Sequence, residues 1–189
     1  MSWSGRSILV TGAAGFIGSH VSRRLLALGA RVVGVDNLDP FYDVAMKARV
    51  EARTLEVGAG AYPSVRADIN DTGRLEALLR EHRVEGVIHL AAKAGVRPSI
   101  EDPVGYAHAN VTGTASVLRA ATRAGSARVV VASSSSVYGN NAKTPFAEDD
   151  AVEHPISPYA ATKRACELLG SSHHHLTGMP VAMLRGAEQ

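Results

Sequence analysis

A single cysteine, Cys166, among 189 residues excludes an intramolecular disulfide and points to a reducing compartment. Aromatic residues are scarce, at 5%, which disfavours a base-stacking surface. Charge of one sign is missing as well. The 20 Lys and Arg stand against 18 Asp and Glu without clustering, so the chain offers neither a basic face for nucleic acid nor a polybasic membrane patch. No apolar run approaches the roughly 18 residues of a spanning helix. The first apolar stretch, from Ile8, is cut by Gly12 and Gly15 before it can serve as a signal peptide. What is present is apolar material, 46% of the chain, sufficient for a core. We expect a cytoplasmic globular domain with no nucleic-acid and no membrane partner.

One alternation repeats along the chain: a short β-branched apolar run, then a longer amphipathic segment. Strands are expected at 7–11, 31–36, 64–67, 86–90, 128–133 and 181–184. Helices are expected at 15–28, with Ile17, Val21, Leu25 and Leu28 on one face, at 44–55, from Asp71 through Leu79, at 104–124 and at 158–176. Strands with nearly continuous apolar content are buried on both faces, which calls for a parallel sheet covered by helices on each side. Right-handed crossovers then give an α/β, doubly wound, Rossmann-like sheet in three layers. The longest irregular stretch, Gly139 to Ser157, follows a strand's C-terminal end, where such sheets bind ligands.

The first strand runs into Thr11-Gly12-Ala13-Ala14-Gly15-Phe16-Ile17-Gly18 and then a helix. In such a turn the first glycine permits a tight bend, the second lets backbone N–H groups approach a pyrophosphate, and the third lets helix pack on strand. The helix N-terminus presents partial positive charge to the phosphates. Asp36 ends the second strand, placed to accept hydrogen bonds from an adenosine ribose and to repel a 2′-phosphate. Asn37 follows with no Arg beside it, so the expected cofactor is NAD rather than NADP. The glycine spacing is G-x-x-G-x-x-G.

The fifth strand ends in four serines, Ser133 to Ser136, followed by Val137-Tyr138-Gly139. Further on, Tyr159 and Lys163 stand four apart on one helix face. A phenol with a pKa near 10 is a poor base at pH 7, and each unit of depression requires about 1.4 kcal/mol. A cation at about 4 Å supplies on the order of 4 kcal/mol in a partly buried site, enough to bring a tyrosine into range.

With these residues in this chain order, the sequence resembles the NAD-dependent epimerase/dehydratase family, the extended short-chain dehydrogenase/reductases. The carriers are 11–18, Asp36-Asn37, Asp68-Ile69, His89-Leu90-Ala91-Ala92, Asn110-Val111-Thr112-Gly113-Thr114, Ser134 to Gly139, and Tyr159-Ala-Ala-Thr-Lys163, so the likeness spans about Ser7 to Arg185. Ala94-Gly95-Val96-Arg97, the serine run and Tyr42-Asp43 are most similar to UDP-glucuronate 4-epimerases. The resemblance implies cofactor contacts at Gly12, Gly15, Phe16, Ile17, Gly18, Asp36, Asn37, Asp68, Ile69, Leu90, Ala91, Ala92, Lys93 and Asn110, with Asn110 supporting the strand end. It implies Tyr159 as the base at the sugar 4-hydroxyl, Lys163 on the nicotinamide ribose, and Ser134 hydrogen-bonded to that same hydroxyl. Arg97, Ser134 and Ser135 are the implied substrate contacts, Arg97 as a carboxylate partner. Lys93, where these epimerases usually carry an uncharged residue, is either an anion contact or a solvated loop lysine.

Related dehydratases carry Asp-Glu directly after the catalytic Ser/Thr, and related decarboxylases a Glu; Ser135 and Ser136 stand there instead, which favours epimerisation over elimination. The family's nucleotide-sugar-binding C-terminal domain is expected to be absent from residues 1–189. Three readings follow: an NAD-dependent sugar-nucleotide 4-epimerase, a non-catalytic NAD-binding module lacking its substrate half, or an NAD-dependent sugar-nucleotide oxidoreductase. The family also implies a homodimer through a four-helix bundle built from 104–124 and 158–176, with Ala120, Ala121 and Ala124 allowing close approach. No metal site is expected, since His173, His174 and His175 are consecutive on a helix and point apart. His89 is expected to be a core histidine and Cys166 a buried small apolar group.

Overall fold

Five short apolar runs and the segment Ser-Val-Arg become six parallel strands, β1 (Ser7–Thr11), β2 (Arg31–Asp36), β3 (Ser64–Arg66), β4 (Gly86–His89), β5 (Arg128–Ala132) and β6 (Val181–Leu184), in the order β3-β2-β1-β4-β5-β6. The computed structural model describes residues 2–186. Alternate residues of each strand face opposite helical layers. Ile8, Val10 and Val32 meet Leu25 and Tyr62 on one side. Leu9, Val33, Val87, Val129 and Val131 meet Leu75, Leu78, Val117 and Leu118 on the other. Burial on both faces is what the continuous apolar strands required.

The crossovers contain α1 (Phe16–Ala27), α2 (Val44–Gly58), α3 (Thr72–Glu81), α4 (Val96–Glu101), α5 (Pro103–Tyr106), α6 (Gly113–Ala124) and α7 (Pro158–Thr177). Their starts are chemically marked. Asp43, Asp71 and Ser157 each accept a backbone N–H of the following first turn. Because every strand is parallel, all six C-terminal ends lie on one edge, and the order reverses between β1 and β4 there.

The helices correct three expectations. On α1 only Leu25 of the expected apolar face is buried; Ile17 is exposed at 61% and Leu28 at 38%. Gly18, Ser19 and Ser22 face inward instead. The glycine turn brings the start of α1 so close to β1 that a Cβ on Gly18 would lie 2.0 Å from the Gly12 carbonyl oxygen, leaving room there for small residues only.

The helix expected at 104–124 is continuous but not uniform. It consists of α5, a π-helical segment over Ala107–Thr112, and α6, and the short α4 precedes it unannounced. The wider π turn carries Asn110 inward, while α6 begins where Gly113 packs against Ile69. Finally, Ala120 and Ala121 do not face outward to a second copy. Both are wholly buried in this chain's own core, where α6 packs on α3 and the sheet.

Candidate functional site

The C-terminal strand edge starts with the glycine turn. Gly12 adopts φ +69°, and a Cβ there would come within 2.8 Å of Ala91 N, so the turn requires glycine on both conformational and steric grounds. Gly15 begins α1 without a side-chain cap, and no acid sits in the first turn. The leading N–H groups of α1 therefore face the edge with no side-chain cap on them, unlike those of α2, α3 and α7. Phe16 is exposed at 81% beside them. The residues fit a dinucleotide: a tight turn, a backbone approach that any side chain would block, and an open helix N-terminus.

Thr11 holds the turn from below. Its hydroxyl accepts from Leu90 N at 3.1 Å and Ala91 N at 3.2 Å, and meets His89 Nδ1 at 2.7 Å. The other ring nitrogen of His89 lies 3.1 Å from Thr114 Oγ1. Burial, with the Lys163 charge adding to it, pulls the His89 pKa down to about 3, so this core histidine is neutral. It ties β1, β4 and α6 together beneath the edge.

Asp36 ends β2 with its carboxylate turned to the glycine turn. Oδ2 accepts from Ala14 N at 3.1 Å and Oδ1 from Leu38 N at 2.8 Å. Lys47 of α2 lies 3.6 Å from Oδ1, a cation that inspection of the residues flanking Asp36 misses. Asn37 donates to Asp68 at 3.2 Å, and Asn70 donates to Asp68 through both its backbone and side-chain nitrogens. Burial pushes the Asp68 carboxyl up, but these hydrogen bonds and the nearby His108 outweigh it and hold the group below its usual range. Ile69, in the loop that follows β3, is buried against Gly113.

After β4 the chain runs half-buried through Leu90, Ala91, Ala92 and Lys93. Asn110 clamps it, accepting from Lys93 N at 2.8 Å and donating to Lys93 O and to Thr162 Oγ1, each at 3.0 Å. The Lys93 amine pairs with Asp102 at 3.0 Å. Arg97 is exposed on α4. Tyr106 closes this loop by donating to Ala94 O at 2.6 Å.

Ser134 leaves β5 buried, its hydroxyl accepting from Ser136 N at 3.1 Å and Ser136 Oγ at 2.8 Å. Ser135 N donates to Gly186 O at 2.8 Å. Tyr159 and Lys163 are both buried on α7, with the Lys163 amine 5.9 Å from the Tyr159 ring centroid. That amine donates to Ala132 O at 2.8 Å, so α7 is joined to β5 two residues before Ser134. The structure thus brings Ser134, Tyr159 and Lys163 to the edge that carries the glycine turn.

Three contributors escaped sequence reading. Ser99 accepts from Tyr159 N at 3.1 Å and supports the start of α7. Glu167, one helical turn past Lys163, accepts from Ser133 Oγ at 2.7 Å and from Arg185 through two nitrogens at 2.9 and 3.0 Å. The spacing of Tyr159, Lys163 and Glu167 by four residues was a signal for Glu167; nothing near Asp36 in the chain marks Lys47. Among the described residues no three His, Cys, Asp or Glu side chains gather to hold a metal ion. His173 instead meets Thr122 Oγ1 at 2.7 Å, and His174 meets Met179 O at 2.9 Å. Cys166 is buried near Thr114 Oγ1 and Asn110 O. No helix of the described residues is long and apolar enough to cross a membrane.

Glycine turn, strand-end acid and Tyr-x-x-x-Lys helix at one edge of a doubly wound sheet define a Rossmann-like protein of the short-chain dehydrogenase/reductase type. The chain belongs to the NAD-dependent epimerase/dehydratase family: the family model described as GDP-mannose 4,6 dehydratase matches residues 9–186. A probable UDP-glucuronate 4-epimerase of Rhizobium meliloti is 41% identical over 177 residues, 94% of this chain and 51% of that protein. Among solved structures, the UDP-glucuronic acid 4-epimerase of Bacillus cereus, in complex with UDP-glucuronic acid and NAD, superposes with TM-score 0.86 at 35% identity, over 95% of this chain and 55% of that one. The UDP-glucose-4-epimerase of Stenotrophomonas maltophila, with bound NAD and formylated UDP-arabinopyranose, gives TM-score 0.87 at 36% identity, over 95% and 52%. The chain spans about half the length of the curated relatives it matches.

Proposed function

We propose that this chain supplies the cofactor site and the acid–base residues of an NAD-dependent 4-epimerase acting on UDP-glucuronate. The observation that carries the reading is the approach of α7 to the β5 exit: the Lys163 amine bonds Ala132 O, two residues before Ser134, and Tyr159 lies one turn earlier on the same helix face. Gly12, Gly15, Gly18 and the α1 N-terminus would hold the pyrophosphate, Asp36 and Asn37 the adenosine ribose, Asp68 and Ile69 the adenine, and Leu90, Ala91 and Ala92 the run toward the nicotinamide. NAD bound there supplies a reversible hydride acceptor.

The chain's own residues do the rest. The Tyr159 phenolate takes the proton of the sugar 4-hydroxyl, becoming the phenol, as the C4 hydrogen leaves as hydride, and the phenol returns that proton when hydride comes back to the opposite face. Ser134 holds that hydroxyl, and the Lys163 cation favours the phenolate. Ser135 and Ser136 bring no carboxyl for elimination, which favours redox-only chemistry. Arg97, exposed on α4, is the proposed partner of the sugar carboxylate.

The half-length match supports a second reading, a dinucleotide-binding module whose substrate half lies elsewhere. A homodimer belongs to the first reading. Exposed Val104 on α5 and Leu168 and Leu176 on α7 support it, and a monomeric mass by sedimentation at micromolar concentration would rule it out. A cytoplasmic site of action accords with the lone buried Cys166. Calorimetric titration with NAD, then with UDP-glucuronate in its presence, separates the readings. Binding of both supports the epimerase; NAD alone supports the module; steady NADH accumulation on adding sugar nucleotide would indicate a net oxidoreductase.

A further inference from the structure

The acid at the ribose end is not alone. Asp36 Oδ1 and Lys47 Nζ are 3.6 Å apart, with only 11% and 12% of their side chains exposed. The lysine is held in place rather than floating on the surface. It sits on the first turn of α2, whose start is fixed by Asp43 Oδ1 accepting from Ala45 N at 2.8 Å. Its amine donates to the Asp39 carbonyl at 3.0 Å. That carbonyl belongs to a turn pinned on both sides: Asn37 Oδ1 accepts from Asp39 N and Asp39 Oδ1 from Phe41 N, at 2.9 and 2.8 Å.

We propose that Lys47 is a specificity-determining residue for the adenosine end of the dinucleotide. It steadies Asp36 for the ribose hydroxyls and at the same time lowers the charge barrier that a 2′-phosphate meets there. The inference rests on the cofactor reading above. A strand-end carboxylate selects NAD by accepting from the 2′-hydroxyl and repelling a phosphate in its place, whereas an NADP site needs a cation there. Here both groups are present within one ion-pair distance. The two backbone N–H groups on Asp36 fix the carboxylate's plane, so the cation's position relative to the ribose is fixed as well. Discrimination between the two dinucleotides is therefore the difference of two opposed charges. Removing one charge should expose the other.

Calorimetric titration with NAD and with NADP tests this on the whole chain, independently of catalysis. Lys47→Met should widen the NAD preference about tenfold, mainly by weakening NADP. Asp36→Asn should turn the preference toward NADP, with NADP affinity rising about tenfold, and Lys47→Met added to it should abolish that gain. Lys47→Arg should keep the wild-type ratio within about threefold, since it preserves the charge. Thermal melts on each variant, with Lys47→Gln as a second neutral substitution, separate a lost fold from a lost contact. An NAD-to-NADP ratio unmoved by Lys47→Met and Lys47→Gln, with and without Asp36→Asn, overturns the proposal while leaving the cofactor site intact. A wild-type chain that binds neither dinucleotide overturns the cofactor reading and this proposal together.

Discussion

Asn110 closes both backbone groups of Lys93 at once, accepting from its N–H at 2.8 Å and donating to its C=O at 3.0 Å. A π-helical segment thereby sets the path of the chain leaving β4. Asn110→Leu should cost about 2–3 kcal/mol, because it leaves partly buried backbone groups without their partner. Asn110→Asp should be costly too, since it keeps the acceptor but loses both N–H donors. Urea unfolding midpoints measure the first effect, and NAD titration measures the accompanying loss of affinity at Ala91 and Ala92.

Close approach at the glycine turn predicts a contrast between two alanine substitutions. Gly18→Ala would put a Cβ 2.0 Å from the Gly12 carbonyl oxygen, a backbone atom that cannot yield. Loss of about 3 kcal/mol or more is expected, with loss of dinucleotide binding. Gly125→Ala, with φ +78° and open space around it, should cost about 1 kcal/mol from backbone strain alone and leave binding unchanged. Equal losses at both positions would contradict the packing assignment.

The buried neutral state of His89 makes stability pH-dependent. Its folded-state pKa, about 3, lies below the ordinary value of 6.5. Between those values the unfolded chain takes up a proton that the folded chain refuses, so stability falls as pH drops through that window. The loss between pH 7 and pH 5 should be about 2 kcal/mol from this residue. His89→Gln should lack this component, so the stability difference, wild type minus variant, should fall by about 2 kcal/mol between pH 7 and pH 5 when measured by denaturant unfolding at the two pH values.

Glu167 has the opposite dependence on its environment. Burial pushes its carboxyl up, but hydrogen bonds from Arg185 and Ser133, the Arg185 charge and the Arg164 contact outweigh that and hold it low. Its contribution is thus complete above the unfolded value of about 4.3 and is lost as pH falls through the lower folded one. Arg185→Met removes two charge-assisted hydrogen bonds from a buried carboxylate that keeps Arg164 and Ser133, and should cost about 2–3 kcal/mol at pH 7. The variant should also recover stability relative to wild type between pH 6 and pH 4, as about one proton is taken up at Glu167. A parallel pH profile for the two proteins would show that Arg185 does not compensate Glu167.

Tyr159→Phe removes a hydroxyl and nothing else from a buried site. NAD affinity should stay within about threefold, while conversion of UDP-glucuronate to its 4-epimer falls by about 10²–10⁴-fold. Unchanged conversion in the variant would remove Tyr159 from the role of base.

The sequence by itself determined the sheet, the sequential order of its elements and the edge that carries chemistry. Apolar runs such as 31–36 and 128–132 can be satisfied only by burial on both faces, and Gly12, Asp36, Ser134 and Tyr159 follow strand ends or start helices at fixed offsets. Local pattern did not determine which side chains of α1 face inward or where the helix before α6 loosens into a π turn. Those depend on how closely two backbones approach, as at Gly18 and Gly12, and that distance exists only once the chain is folded. For the same reason the partners of Asp36 and of Glu167, drawn from residues eleven and eighteen positions further on, were decided by tertiary structure. A charge pair depends on separation in space, which no spacing along the chain prescribes across a crossover.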